Sequence, residues 1–154
     1  PPPPLSLMST ATFLVSPPLL VVVLATLTLL YASPISMADN VTETEITALM
    51  SFKRNLQDPL GVLDGWDIST PLAPCDWRGV VCYSGRVREL RLPGLQLAGR
   101  ITGQVSNLRQ LRRLSLHSNN LNGSIPRGLA QCALLRAVYL HYNSFSGELP
   151  PELA

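Results

Sequence analysis

The chain is predicted to be an α/β solenoid, built by stacking one short unit, with a non-repeating helical segment ahead of the first copy. Three observations point there. Stretches beginning at Val87, Leu111 and Leu135 superimpose at a spacing of 24 residues without a gap. The superposition aligns apolar columns: Leu90, Leu114 and Val138; Leu92, Leu116 and Leu140; Leu97, Leu121 and Phe145; Ile101, Ile125 and Leu149; Val105, Leu129 and Leu153. Residues 43–82 stand outside this pattern and open with helical periodicity. A fixed period of this length belongs to repeat architectures, which present a surface to a partner and seldom perform chemistry with the repeats themselves.

Each unit starts with alternation, as in Leu114-Ser115-Leu116-His117, which puts the leucines on one face of a short strand and Ser115 and His117 on the other. Stacking turns these strands into a parallel sheet. The leucine columns become a continuous core, and the intervening residues line a concave face. Asn119 and Asn143 share one column and are expected to be buried, satisfying turn backbone groups that are costly to leave unpaired. The first unit has Leu95 there, and Thr102 where the others have Pro126 and Pro150, so it is degenerate, as terminal repeats are. Gly99, Gly123 and Gly147 form a column suited to a backbone turn. The segments Leu121-Asn122-Gly123-Ser124-Ile125-Pro126 and Phe145-Ser146-Gly147-Glu148-Leu149-Pro150 resemble the L-x-G-x-I-P signature of plant-type leucine-rich repeats.

Upstream, Thr42 and Glu45 have the spacing of a capping box, and Ile46, Leu49, Phe52 and Leu56 then mark one helical face that Asp58-Pro59 ends. Leu60, Leu63, Trp66 and Pro74-Cys75-Asp76-Trp77-Arg78-Gly79-Val80-Val81-Cys82 follow. From Ala48 to Cys82 this layout resembles the N-terminal cap of plant leucine-rich-repeat receptor kinases, whose pattern is A-L-x-x-F-K, D-P, W, then P-C-x-W-x-G-V-x-C. A cap is needed because the first repeat otherwise exposes its leucine core. Cys75 and Cys82, downstream of a secretion signal, read as a disulfide; a metal pair is the alternative, but no further ligands lie at a suitable spacing. Cys132 falls in a repeat column and reads as a buried free thiol, and Trp66 and Trp77 as cap core.

Residues 1–38 carry no charged side chain, and the largely apolar run from Leu19 to Tyr31 has the length of a signal h-region. Ser36-Met37-Ala38 predicts cleavage after Ala38, with an uncleaved anchor as the alternative, because no Lys or Arg precedes the run. Residues 1–7 read as translated upstream sequence with Met8 the start, and both ends read as those of a piece of a longer product, whose last repeat would expose Leu135, Val138, Leu140 and Phe145. The expected organisation is signal peptide 1–38, cap 39–86, and repeats 87–110, 111–134 and 135–154, the last truncated. Charge is divided unevenly. Residues 39–76 are acidic, whereas residues 77–136 hold ten arginines against Glu89 alone. Arg86, Arg109 and Arg112 read as solvated positions scattered over several faces. Asn40-Val41-Thr42 and Asn122-Gly123-Ser124 are glycosylation sequons, so Asn40 and Asn122 are candidate attachment sites.

No phosphate-cradling glycine loop, kinase catalytic loop or nucleophile elbow occurs, so the expectation is no catalytic, cofactor-binding or metal-ligating residue and no cofactor. Secretion argues against nucleic acid as a partner. The outward strand positions are Glu89, Arg91, Pro93, Arg113, Ser115, His117, Ala137, Tyr139 and His141, with Tyr142 on the rim. His117 and His141 occupy one column and are expected to stack. Arg113, His117, Tyr139, His141 and Tyr142 are the candidate partner-binding residues, because Tyr and His combine apolar area with a hydrogen-bonding tip. The resemblance implies the extracellular recognition domain of a membrane-anchored receptor-like Ser/Thr kinase at the plant cell surface. Such a domain binds a peptide or protein ligand and a co-receptor, while the kinase lies outside this chain. The alternative is a secreted, kinase-less repeat protein such as an inhibitor of microbial wall-degrading enzymes.

Overall fold

The structure, a computed structural model, describes residues 37–153, with side chains from Thr42 onward. The leader's apolar run, Met8 and Ala154 lie outside the described residues. Helix α1 covers Met37–Arg54, so its backbone is continuous through the expected cleavage point and begins upstream of the Thr42–Glu45 box. That expectation is corrected: Glu45 does not turn back to cap α1. It is fully buried, its carboxylate meets Arg86 Nη2 at 2.8 Å, and it accepts the Val87 backbone N–H at 3.1 Å. The buried stripe of α1 is therefore Glu45, Ala48, Leu49 and Phe52, with Ile46 only partly covered. Lys53 and Arg54 sit in the last turn, where a cation complements the helix dipole. The helix stops before Leu56, which instead begins a strand.

Among the described residues, eight short strands form two four-stranded sheets. The first contains β2 (Val80–Tyr83), β3 (Arg86–Arg91), β5 (Arg113–Ser115) and β7 (Ala137–Tyr139), in that order. β2 is antiparallel to β3, and β3, β5 and β7 are parallel, with Leu90, Leu114 and Val138 in register. The second contains β1 (Leu56–Gln57), β4 (Ala98–Arg100), β6 (Asn120–Gly123) and β8 (Ser144–Phe145). β1 is antiparallel to β4, and the rest are parallel. The sequence reading foresaw only the first sheet. The L-x-G-x-I-P segments make the second because their Asn and Gly, poor strand formers alone, find pairing partners one repeat away. Gly99 shows why glycine holds its column: its φ is +112°, and a Cβ there would run into the Asn55 carbonyl of the chain leading into β1.

After β4, β6 and β8 the chain makes 3-10 turns at Gly103–Asn107, Arg127–Gln131 and Pro151–Leu153. In each, the carbonyl of the preceding residue accepts from three residues on: Thr102 from Val105, Pro126 from Leu129, Pro150 from Leu153. Thr102 has φ −87° and ψ 153°, close to Pro126 at −69° and 130°, so the threonine performs the same entry without a proline ring. The first repeat departs in sequence but not in backbone.

The core runs between the two sheets. Val87, Leu90, Leu92, Leu97, Leu108, Leu111, Leu114, Leu116, Leu121 and Leu129 are all inaccessible to solvent. Fully burying one such side chain stabilises by about 1.5–3 kcal/mol. In the last repeat Val138 is 39% exposed and Leu149 54%, while Leu135, Leu140 and Phe145 are partly covered. At the other end Phe52, Trp66 and Trp77 stack in series, with ring centres 6.4 and 5.2 Å apart. Both indoles donate to backbone carbonyls, Trp66 to Arg78 and Trp77 to Asp67, at 3.0 Å each. The Cys75–Cys82 disulfide closes the adjoining loop. Asp58 does not end α1, which stops at Arg54; it follows β1, and its carboxylate accepts the Val62 and Leu63 N–H groups and shapes the following turn.

Candidate partner-binding face

Two asparagines hold the strand ends that carry the candidate residues. Asn119 Oδ1 accepts from the N–H groups of Leu95 and Leu97, and its Nδ2 donates to the carbonyls of Leu92 and Leu116, at 2.7 to 3.1 Å. Asn143 repeats this one unit on, accepting from Leu121 N and donating to Leu116 O and Leu140 O. Side chains thus fix the turn after each strand, and with it the direction of the outward residues next door.

On the outer face of the first sheet the five candidates make one connected row. The Arg113 guanidinium lies 5.8 Å from the Tyr139 ring centre. Tyr139 stands edge-on to His117 at 6.5 Å. His117 and His141 are parallel, 4.7 Å apart at 6°, the stacking expected from their shared column. His141 meets Tyr142 edge-on at 5.0 Å. Tyr139, His141 and Tyr142 are exposed, Tyr142 at 80%. Tyr142 also has φ +53°, in a column shared with Ser118 (+59°) and Gly94 (+66°). A bulky residue in the left-handed region costs about 1–2 kcal/mol, a cost that concentrates at functional positions. Sequence reading missed this, although Gly94 in the same column was the available signal.

One outward position is corrected. Ser115 is buried, at 8% exposure, because in register it lies between the larger Arg91 and Tyr139. Glu89 is more engaged than its place suggests: it meets Arg91 Nη2 at 2.6 Å and Arg113 Nε at 3.3 Å, which fixes the base of the Arg113 side chain. Arg86, read as a solvated position, is instead the partner of buried Glu45.

Away from this face, Asn122 is exposed, as an attachment site requires, while the Asn40 side chain lies outside the described residues. Cys132 is a free, buried thiol, with Sγ 3.6 Å from Val105 O. Burial pushes its pKa up, partly opposed by Arg109. Among the described residues no cluster of three or more His, Cys, Asp or Glu could hold a metal ion. No described helix is long and apolar enough to cross a membrane.

Comparison with known proteins agrees with this architecture. Residues 42–83 match the family "Leucine rich repeat N-terminal domain", and residues 110–132 and 134–154 match "Leucine Rich Repeat". The chain belongs to the leucine-rich-repeat proteins. It is similar to "Probable inactive leucine-rich repeat receptor kinase XIAO" of Oryza sativa subsp. japonica, at 47% identity over 73 residues, which is 46% of this chain and 6% of that protein. It thus spans a small fraction of the relative's length. Among solved structures it resembles the BIR2 ectodomain of Arabidopsis thaliana, with TM-score 0.66 and 32% identity over 70% of this chain and 59% of that one. It also resembles the Arabidopsis HAESA receptor kinase ectodomain bound to an IDA peptide hormone, with TM-score 0.64 and 30% identity over 74% of this chain and 19% of that one. Residues 87–109 fall outside both family matches, yet β3, β4 and the first 3-10 turn keep the register of the later repeats.

Proposed function

We propose that this chain is the start of the extracellular recognition region of a plant receptor kinase, with a peptide or protein as ligand and a co-receptor as second partner. The observation that carries the reading is the continuous Arg113–Tyr139–His117–His141–Tyr142 row, exposed on a parallel sheet whose relatives include a peptide-hormone receptor ectodomain. In this reading the repeats stack into a solenoid, the first sheet lines its concave side, and residues 39–86 form a helical cap closing the first repeat at 87–110. Residues 1–38 act as a cleaved signal that brings the product to the cell surface. Repeats 111–134 and 135–154 continue the binding wall, and Asn40 and Asn122 carry glycans. In this reading the longer parent carries a Ser/Thr kinase segment outside this chain, which the receptor-kinase names of the similar proteins support. The kinase-less alternative has weaker support, because the similar proteins are receptor kinases.

Two experiments test this. Sequencing the transcript past Ala154 should reveal further repeats, an apolar span of about 20 residues and a kinase fold; a stop codon after a few repeats would put the secreted alternative in its place. In the full ectodomain, Tyr139→Ala and His141→Ala should each weaken ligand or co-receptor binding by about tenfold, while exposed Arg127→Ala leaves it unchanged. Equal affinities in all three folded variants would reduce this face to scaffold.

A further inference from the structure

The second position of every repeat is an arginine: Arg88, Arg112 and Arg136. They sit side by side, since Arg112 N donates to Arg88 O at 2.7 Å and Arg136 N to Arg112 O at 2.9 Å. Neighbouring strands lie about 4.8 Å apart, so three like charges are stacked at a spacing where they repel. None of the three has an ion pair among the described residues, because the nearby carboxylate, Glu89, is held by Arg91 and Arg113. The Nε atoms of Arg88 and Arg112 are buried and have no hydrogen-bond partner. A buried charged donor left unmet is costly, and an acceptor that reaches it is bound correspondingly well.

These two arginines line a groove of about 400 Å³ with Glu89, whose carboxylate is already held by Arg91 and Arg113, and with Val81, Cys82 and Tyr83, three consecutive residues of β2, which is an edge strand of its sheet. Tyr83 is 69% exposed and its ring centre lies 5.5 Å from the Arg88 guanidinium; Val81 is 37% exposed. The groove therefore pairs unsatisfied cationic donors with an apolar and aromatic wall running along a strand edge. We infer that it binds an acidic, extended segment of a partner polypeptide. Asp or Glu carboxylates of that segment pair with the guanidinium groups of Arg88 and Arg112, which no carboxylate of the described residues neutralises, and its aliphatic groups lie on Val81 and Tyr83. The apolar wall beside the charges favours a peptide over a bare phosphate. This inference rests on the partner-recognition reading but uses a different patch, so the two can fail separately.

Fluorescence anisotropy of the full chain with labelled hexaglutamate tests it, with inorganic phosphate as competitor. The wild type should bind, more weakly at higher salt. Arg88→Gln/Arg112→Gln should lose about tenfold or more in affinity. Arg109→Gln/Arg127→Gln, which removes the same charge elsewhere, should lose less than about threefold. Arg88→Lys/Arg112→Lys should recover only part, because lysine supplies charge without the planar guanidinium fork that matches a carboxylate. No binding by the wild type, equal losses in both glutamine pairs, or displacement by phosphate at equal concentration overturns the proposal. So does salt-sensitive self-association that disappears in Arg88→Gln/Arg112→Gln, which would make a second copy's acidic face the occupant.

Discussion

Residues 42–83 and residues 87–153 reach a packed interior by opposite routes. In the first region the main contacts follow no period: a three-ring aromatic stack, one disulfide, and one buried carboxylate reaching from α1 to β3. In the second, a few contacts recur with the period of the sequence. Asn119 and Asn143 donate to the same pair of carbonyl positions one unit apart, and Leu90 and Leu114 occupy the same place in register. Losing a unique contact leaves nothing to compensate, whereas losing a repeated one damages a single rung. Recurrence has its own weakness, because each rung depends on the next for cover. Leu114, between β3 and β7, is inaccessible, while Val138 in the same column is 39% exposed.

The sharpest way to break the comparison is Trp66→Ala. It removes the middle ring of the stack and the indole donor to Arg78 O, and should cost about 4 kcal/mol, measured by chemical denaturation. Asn119→Ala should follow at about 3 kcal/mol, since it orphans several buried backbone groups at once. Asn143→Ala, only partly buried, should cost about half as much. Equal losses at the two asparagines would mean that cover from the following repeat is not what separates them. Tyr142→Gly should work in the other direction, stabilising the fold by about 1 kcal/mol through relief of the left-handed backbone while weakening partner binding. A Tyr142→Gly variant that is both more stable and fully competent to bind would remove Tyr142 from the candidate face.

The smallest effect concerns pH at Cys132. Its pKa is raised by burial, so the folded state holds the thiol proton more tightly than the unfolded state. The resulting stabilisation is present below the ordinary thiol range and is lost as pH rises through the elevated value. Melting temperature should therefore fall slightly faster on the alkaline side in the native chain than in Cys132→Ala. Native Cys132 should also resist iodoacetamide near neutral pH and react on unfolding. Rapid alkylation of the folded chain would contradict its burial.

Much of the recurring part was legible because a translational repeat converts a fixed sequence interval into a fixed spatial offset. Residues 24 apart become neighbours, so the His117–His141 stack and the asparagine bonds follow from counting. The Trp66 and Trp77 core and the disulfide were legible from residue type and secretory context. The second sheet was not, because Asn120-Leu121-Asn122-Gly123 reads locally as a loop and becomes a strand only when β4 and β8 lie beside it. Nor was Ser115, whose burial depends on the size of neighbours in adjacent repeats. Glu45 lay further out of reach still: its partner Arg86 is 41 residues away and outside any period, so local spacing suggested a helix cap where the fold formed a buried ion pair.

The sequence by itself determined the repeat length, the core columns and which strand positions alternate away from them, since all three depend on spacing alone. Only the tertiary structure decided which charges are neutralised. Arg86 finds Glu45, and Arg91 and Arg113 share Glu89, while Arg88 and Arg112 are left with buried, unsatisfied Nε atoms. An ion pair requires two groups within a few ångströms, and outside the repeat that proximity is set by the path of the whole chain rather than by any interval along it.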